Sequence, residues 1–166
     1  MTYILYNPIA GGGNGKEKAE EVSRKIQPEM SRLLDVTTLD LHAFFEETPC
    51  TEAIVLAGGD GTINRFINRL HGVVPAHQIY YYPAGSGNDF WNDVKSKTVD
   101  GFILLNRYLE KLPIVEVNGE KHFFVNGVGY GIDGYCCEVG DRMRDEGKKN
   151  INYASIAIKG LLGRFK

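Results

Sequence analysis

The stretch Ala57-Gly58-Gly59-Asp60-Gly61-Thr62 decides the fold, because it places three glycines and one carboxylate between two apolar segments. It follows Ala53–Leu56, a predicted strand, and precedes Ile63–Leu70, a predicted helix. Glycines permit a tight turn and let a ligand approach main-chain N–H groups closely. The start of a helix adds unpaired N–H donors and the positive end of its dipole. This stretch therefore predicts a phosphate-binding turn.

Asp60 needs an explanation of its own within this turn. A carboxylate beside a phosphate is repelled unless a divalent cation bridges the two groups or a proton has to be moved. Asp60 therefore predicts Mg²⁺ binding or acid–base chemistry. The alternative is a strand-to-helix turn in which Asp60 only caps the helix that follows. The turn by itself leaves both interpretations open.

Composition is typical of one ordinary soluble domain, with 166 residues, 43% hydrophobic and 24% charged. The net charge of -2 and the absence of a long Lys or Arg run indicate that nucleic acid is not a partner. Three cysteines without C-x-x-C spacing, and no secretory leader, favour a cytoplasmic location. No apolar run approaches the roughly 20 residues that span a bilayer, so any membrane contact is expected to be peripheral.

Apolar periodicity predicts strands that alternate with helices along the chain. The predicted strands are Tyr3–Tyr6, Val36–Leu39, Ala53–Leu56 and Ile79–Tyr82, and the predicted helices are Lys16–Met30, Ala43–Glu47, Ile63–Leu70 and Thr98–Leu109. Helical spacing recurs in Asn150–Lys166. The Asn118-Gly119 pair between Ile114–Val117 and Lys121–Val125 predicts a hairpin. Alternation of this kind predicts an α/β fold, in which crossover helices cover a Rossmann-like parallel sheet.

Two further glycine-rich turns follow the first and fourth predicted strands. They are Asn7-Pro8-Ile9-Ala10-Gly11 and Pro83-Ala84-Gly85-Ser86-Gly87-Asn88-Asp89-Phe90. Ligands of parallel sheets bind at the carboxyl ends of strands, so the three turns are expected to line one crevice. A Walker A loop, a dinucleotide fingerprint, a G-x-S-x-G elbow and a zinc-type ligand cluster are all absent from the sequence.

In this order, the three turns resemble the signatures of the diacylglycerol kinase catalytic domain family. That family includes bacterial lipid kinases and sphingosine and ceramide kinases, and it is more distantly similar to NAD kinases and phosphofructokinases. The Gly-Gly-Asp-Gly motif is shared with the distant relatives, whereas Gly85-Ser86-Gly87-Asn88-Asp89-Phe90 is typical of the lipid-kinase branch. The resemblance covers residues 1 to 135 or so.

The family resemblance also implies a domain organisation. It implies an N-terminal domain like that of phosphofructokinase or NAD kinase over residues 1–120, with helices on both faces of its sheet. Residues 121–166 would begin a second, β-sandwich domain that is mostly missing, with Phe123–Ile132 as its first strand. We expect an exposed edge at Phe123–Val128, which favours self-association and makes a homodimer a candidate state.

The resemblance further implies ATP-dependent transfer of the γ-phosphoryl group to a lipid hydroxyl, such as that of diacylglycerol, at a membrane surface and with Mg²⁺. By matching position, nucleotide or phosphate contacts are expected from Asn7, Lys16, Gly58, Gly59, Gly61, Thr62, Gly85, Ser86, Gly87 and Asn88. Asp60 and Asp89 would be the catalytic acids and would belong to a water-linked Mg²⁺ network. Whether Asp60 serves the metal or accepts the substrate proton stays open. The alternatives are an NAD kinase-like enzyme and a non-catalytic nucleotide-binding domain.

Three positions depart from the family pattern. Arg65 stands where the family usually has Glu, Trp91-Asn92 where it has Ala-Arg, and Pro113 where many members have Asp. Arg65 removes one acid from the expected cleft or places a cation near the phosphates. Family members are also longer, since the β-sandwich domain carries much of the lipid pocket. The chain is therefore expected to be a nucleotide-binding part that lacks activity in isolation.

Overall fold

The computed structural model describes residues 1–148 and 151–163, which form two compact units, Met1–Asn126 and Gly127–Lys166. The strands are β1 (Thr2–Tyr6), β2 (Ser31–Asp35), β3 (Ala53–Gly58), β4 (Ile79–Pro83), β5 (Ile103–Leu104), β6 (Ile114–Val117) and β7 (Glu120–Phe123). The helices are α1 (Ala10–Gly13), α2 (Gly15–Ile26), α3 (Leu41–Glu47), α4 (Asp60–Arg69), α5 (Asp89–Val94), α6 (Asn106–Leu109), α7 (Ile132–Asp145) and α8 (Tyr153–Gly163).

The first unit is built on a five-stranded sheet of order β2-β1-β3-β4-β5. The four strands β1 to β4 are parallel, whereas β5 pairs antiparallel with β4. The α/β fold class with a Rossmann-like parallel sheet is confirmed, and the antiparallel edge strand β5 was not predicted. After β1 the chain moves to β2 on one side and then to β3 on the other. The carboxyl ends of β1 and β3 therefore form the switch point at which such sheets bind ligands.

Side chains that alternate along the central strands fill two cores, one on each face of the sheet. Ile4 and Val55 pack with Ala19 and Val22 of α2 on one face. The larger core, on the other face, contains Leu5, Ile54, Leu56, Phe44 of α3 and Ile63, Phe66 and Ile67 of α4. Helices thus cover both faces, as expected, because each central strand is apolar on both sides.

The boundaries of β2 and α2 differ from their predictions. Val36–Leu39 is not a strand, because the chain turns after Asp35, whose side chain accepts bonds from the N–H and hydroxyl of Thr37 at 2.8 and 2.6 Å. This Asx turn overrides the β-propensity of the branched residues. Helix α2 ends at Ile26 instead of Met30, since Pro28 cannot continue a helix and starts a short 3₁₀ turn.

The predicted helix Thr98–Leu109 is wrong over most of its length. Asp100 and Gly101 adopt positive φ of 51° and 82°, and this tight turn leads into β5. Only α6 at the end of the segment is helical. The predicted hairpin is confirmed as β6 and β7, joined by Asn118 and Gly119 with φ of 55° and 84°, as a primed turn requires.

The second unit consists of α7 and α8, which pack against each other. Their close approach depends on glycine, since a Cβ at Gly160 would lie 2.7 Å from the ring of Tyr135. The predicted strand Phe123–Ile132 is wrong beyond Phe123, where β7 ends. Helical spacing is confirmed in α8, whereas Asn150 and residues 164–166 lie outside the described residues. No described helix is long and apolar enough to cross a membrane.

Candidate functional site

The turns after β3 and β4 are in main-chain contact with each other. The Asp60 N–H donates to the Gly87 carbonyl at 3.1 Å, and the Ala84 N–H donates to the Gly58 carbonyl at 2.8 Å. Added Cβ atoms would collide, at Gly85 with the Gly59 Cα at 2.3 Å and at Gly59 with the Gly87 oxygen at 2.6 Å. These glycines are required because the two main chains touch.

The turn after β1 joins the same crevice. Gly11 has a φ of 59°, and a Cβ there would lie 2.9 Å from the Ala84 carbonyl oxygen. A Cβ at Gly15 would lie 1.9 Å from the Asn7 carbonyl oxygen, so α2 begins directly against the end of β1. All three glycine turns therefore meet at one edge of the sheet.

Asp60 links the turn after β3 to helix α5. Its Oδ2 accepts the Asp89 N–H at 2.7 Å, and its Oδ1 accepts the Phe90 N–H at 3.1 Å. Helix α4 itself is capped by Gly59 without a side-chain bond. The alternative that Asp60 caps the following helix is thus wrong in detail, because the half-buried carboxylate holds the start of α5 instead. Each oxygen keeps a further lone pair for another partner.

Tyr81 fixes the two turns from beneath. Its buried hydroxyl donates to the Gly58 carbonyl at 2.9 Å and to Asn88 Oδ1 at 3.3 Å, while Asn88 Nδ2 donates to the Gly85 carbonyl at 2.7 Å. Burial raises the pKa of Tyr81, and the negative charge of Asp60 raises it further. The hydroxyl is therefore a permanent donor at physiological pH.

Asn7 and Thr62 meet across the switch point between β1 and β3. Asn7, which is buried, donates from Nδ2 to Thr62 Oγ1 at 3.4 Å and accepts the Ile9 N–H at 3.1 Å. Thr62 packs so closely on Gly58 that a Cβ there would lie 2.4 Å from the threonine side chain. Both polar side chains thus have fixed positions at the floor of the crevice.

Gly61 differs from its neighbours, because no packing contact requires a glycine there. It is exposed in the first turn of α4, and a Cβ would meet nothing within 4 Å. A helical glycine costs about 1 kcal/mol relative to alanine. The fold therefore does not require glycine at position 61. The absence of a side chain there leaves room for a ligand against the main chain.

A groove of about 840 Å³ opens beside Asn7 and Thr62, and we call it the α4 groove. Its walls are residues 36–42 on one side, the face of α4 from Thr62 to Arg69 with His71, and Lys121 and His122 of β7. Arg69 holds the first wall by donating to the carbonyls of Val36 and Leu39.

Positive charge predominates in the α4 groove. Among the described residues that line it, the cationic side chains are Arg65, Arg69 and Lys121, and the one carboxylate is that of Asp40. Asp40 accepts the N–H groups of His42 and Ala43 as the cap of α3. The rings of His42 and His71 stack at 5.9 Å between centroids. The groove is suited to an anion that also presents a flat or apolar part.

The structure distributes the predicted site residues over two adjoining places. Asn7 and Thr62 line the α4 groove, whereas Gly58, Gly59, Gly85 and Asn88 build the turn contacts beside it. Lys16, Ser86, Gly87 and Asp89 are exposed and do not line the groove.

Sequence reasoning missed two walls of the α4 groove. These are residues 36–42, assigned in part to a strand, and the outward side chains Lys121 and His122 of the hairpin. The Asx-turn signal of Asp35 before Thr37 was available in the sequence.

Among the described residues of this site, the carboxylates that could bind a metal ion are those of Asp60 and Asp89. Among the described residues, no group of three or more His, Cys, Asp or Glu side chains is arranged to hold a metal ion. Asp60 and Asp89 are joined through the Asp89 N–H, and one or two carboxylates with phosphate and water oxygens are what Mg²⁺ uses in nucleotide sites. The donor set fits Mg²⁺ brought in with a polyphosphate and does not fit a closed protein cage.

Comparisons with known proteins identify a family for this chain. Residues 1–112 match the model of the family described as diacylglycerol kinase catalytic domain. A diacylglycerol kinase of Bacillus subtilis (strain 168) is 28% identical over 137 residues, which cover 77% of this chain and 45% of that relative. The chain thus spans less than half the length of this relative.

Proposed function

The chain belongs to the diacylglycerol kinase catalytic domain family. We therefore propose that it is the ATP-binding part of a lipid kinase. The reaction is transfer of the γ-phosphoryl group of ATP to a lipid hydroxyl, such as that of diacylglycerol. The chain by itself binds nucleotide, and transfer requires the part of such enzymes that carries the lipid pocket. The enzyme acts on a lipid at the inner membrane surface through peripheral contact.

One observation carries this proposal, the exposed backbone at Gly61 beside Asn7 and Thr62 at the switch point of the sheet. Neither packing nor φ requires glycine at that position. A phosphate bound there would receive the Gly61 N–H and the Thr62 hydroxyl. The other N–H groups of this turn, those of Asp60, Thr62 and Ile63, already donate to the Gly87 and Gly59 carbonyls. The α4 groove, which Asn7 and Thr62 line, holds the rest of the nucleotide.

Asp60 and Asp89 are the residues that would hold Mg²⁺, through water, on the phosphate side of this site. When bound, Mg²⁺ neutralises charge on the transferred phosphoryl group. Phosphoryl transfer depends mainly on positioning and charge stabilisation. The task of Asp60 is therefore first to hold the start of α5, and with it Asp89, at a fixed distance from the Gly61 backbone.

The test is a radiolabelled ATP assay of the full-length protein that contains this sequence. Diacylglycerol, sphingosine, ceramide and NAD are offered separately with Mg²⁺. Labelled lipid is the expected product, and the Asp60→Asn variant is expected to form none although it folds. Product from NAD alone would replace the proposal by an NAD kinase-like function. Nucleotide binding without any product would favour a non-catalytic domain.

A further inference from the structure

Two cationic side chains that line the α4 groove make no polar contact within the described part of the chain. Arg65 on α4 and Lys121 on β7 are both exposed and line the groove. Across residues 1–148 and 151–163, neither side chain makes a hydrogen bond, an ion pair or a cation–π contact. The third cation, Arg69, is already used by two carbonyls.

Arg65 lies on the same helix as the glycine turn that we propose binds phosphate. Residues three and four apart lie on the same face of a helix, so Arg65 shares a face of α4 with Thr62 and Gly61. Its guanidinium carries a planar set of donors that matches phosphate oxygens. Lys121 contributes a compact charge from the hairpin wall of the same groove.

We propose that Arg65 and Lys121, on two walls of the α4 groove, bind the polyphosphate chain of the nucleotide, so that nucleotide binding does not need Mg²⁺. This inference rests on the proposed function. The two side chains together supply the charge of one Mg²⁺. Binding and transfer then differ in their metal requirement, and Mg²⁺ is needed only for transfer. The arginine that replaces the usual family glutamate thus determines how this chain takes its nucleotide.

No other described residue of the groove accounts for the charges of Arg65 and Lys121. Asp40, the one carboxylate among the described residues that line the groove, already accepts two main-chain N–H groups of α3. Glu116 lies opposite Lys121 in the hairpin register but makes no ion pair with it. Repulsion among unneutralised cations favours an anionic ligand in the groove.

The experiment is calorimetric titration of the chain with tripolyphosphate and with ATP, each with EDTA and with Mg²⁺. The variants are Arg65→Gln, Arg65→Glu and Lys121→Gln. The control is Arg24→Glu on α2, which reverses an exposed charge outside the groove. Circular dichroism verifies that each variant is folded. If Arg65→Glu disturbs α4, Arg65→Gln replaces it in the comparison.

Tripolyphosphate is expected to bind in EDTA, and Arg65→Gln and Lys121→Gln are expected to weaken it by about tenfold each, the usual effect of one charge-assisted hydrogen bond. Arg24→Glu is expected to change the affinity for tripolyphosphate less than twofold. Equal weakening by Arg65→Glu and Arg24→Glu, or ATP binding only with Mg²⁺, would overturn the inference while the proposed function stands. Tripolyphosphate binding that depends on Arg65, without any ATP binding, would overturn the proposed function and retain the anion site.

Discussion

The Oδ2 atom of Asp60 accepts the main-chain N–H of Asp89 at 2.7 Å, so the acid of one glycine turn positions the acid that follows the other. The two residues are 29 positions apart in the chain, and they follow β3 and β4, two neighbouring parallel strands. A second bond, from the Phe90 N–H to Asp60 Oδ1, fixes both carboxylate oxygens. The two glycine turns and the start of α5 are therefore held together by bonds within the chain.

Loss of the Asp60 carboxylate should release the start of α5. In Asp60→Ala, the Asp89 and Phe90 amides lose their acceptors, and we expect a loss of about 1 kcal/mol in unfolding free energy, as for other helix caps. Hydrogen exchange should become faster at these two amides. The control is Asp93→Ala, on the exposed face of the same helix, which should leave their exchange unchanged. Unchanged exchange in Asp60→Ala would contradict the positioning role.

The two glycines on either side of Asp60 should respond oppositely to alanine. Gly59→Ala forces a Cβ to within 2.6 Å of the Gly87 oxygen, and overpacking of this kind costs about 1–3 kcal/mol. Gly61→Ala has open space and should stabilise α4 by up to about 1 kcal/mol. Urea denaturation measures both. Similar effects of the two variants would show that the glycine turns are not packed as described.

Tyr81→Phe should destabilise the chain in a pH-dependent way. At pH 8 the variant loses the hydroxyl bonds to Gly58 and Asn88, a loss of about 1 kcal/mol. Because burial raises the pKa of Tyr81, the folded state holds a proton that the unfolded state releases near pH 10. The wild type should therefore lose stability relative to Tyr81→Phe as pH rises above about 10. A difference that stays constant from pH 8 to 11 would argue against a buried, protonated hydroxyl.

Asn68 should anchor the β6–β7 hairpin to α4. Its Nδ2 donates to the Phe123 carbonyl at 2.8 Å, and its Oδ1 accepts the Phe123 N–H at 2.9 Å. Asn68→Ala leaves both main-chain groups without partners, and we expect a cost of about 1–3 kcal/mol and faster exchange at Phe123. Asn64→Ala, one turn earlier and exposed, is the matched control. A hairpin equally protected in both variants would refute the anchor.

The sequence predicts the sheet best where local and global signals agree. The apolar runs of β1, β3 and β4 can be assigned from composition, and the glycine turns after them from spacing. The meeting of the turns at one edge then follows from parallel topology. Family membership, inferred from the same turns, is confirmed for the N-terminal part.

Prediction failed where long-range contacts decide local structure. Val36–Leu39 has the composition of a strand, yet Arg69, 33 positions from Val36, fixes it as a groove wall. The segment Thr98–Leu109 has helical spacing, yet β5 completes the edge of the sheet beside β4. The bond from Asp60 to α5 depends on where two loops meet in space and has no sequence signal.

Calorimetric titration with ATP in the presence of Mg²⁺, on the wild type and on Gly61→Ala, tests whether the exposed backbone at Gly61 binds nucleotide. We expect saturable binding of ATP at one site by the wild type and weaker binding by Gly61→Ala, although the variant is at least as stable. No binding by the wild type, or equal affinity of the two proteins, would contradict a nucleotide site on the exposed backbone at Gly61.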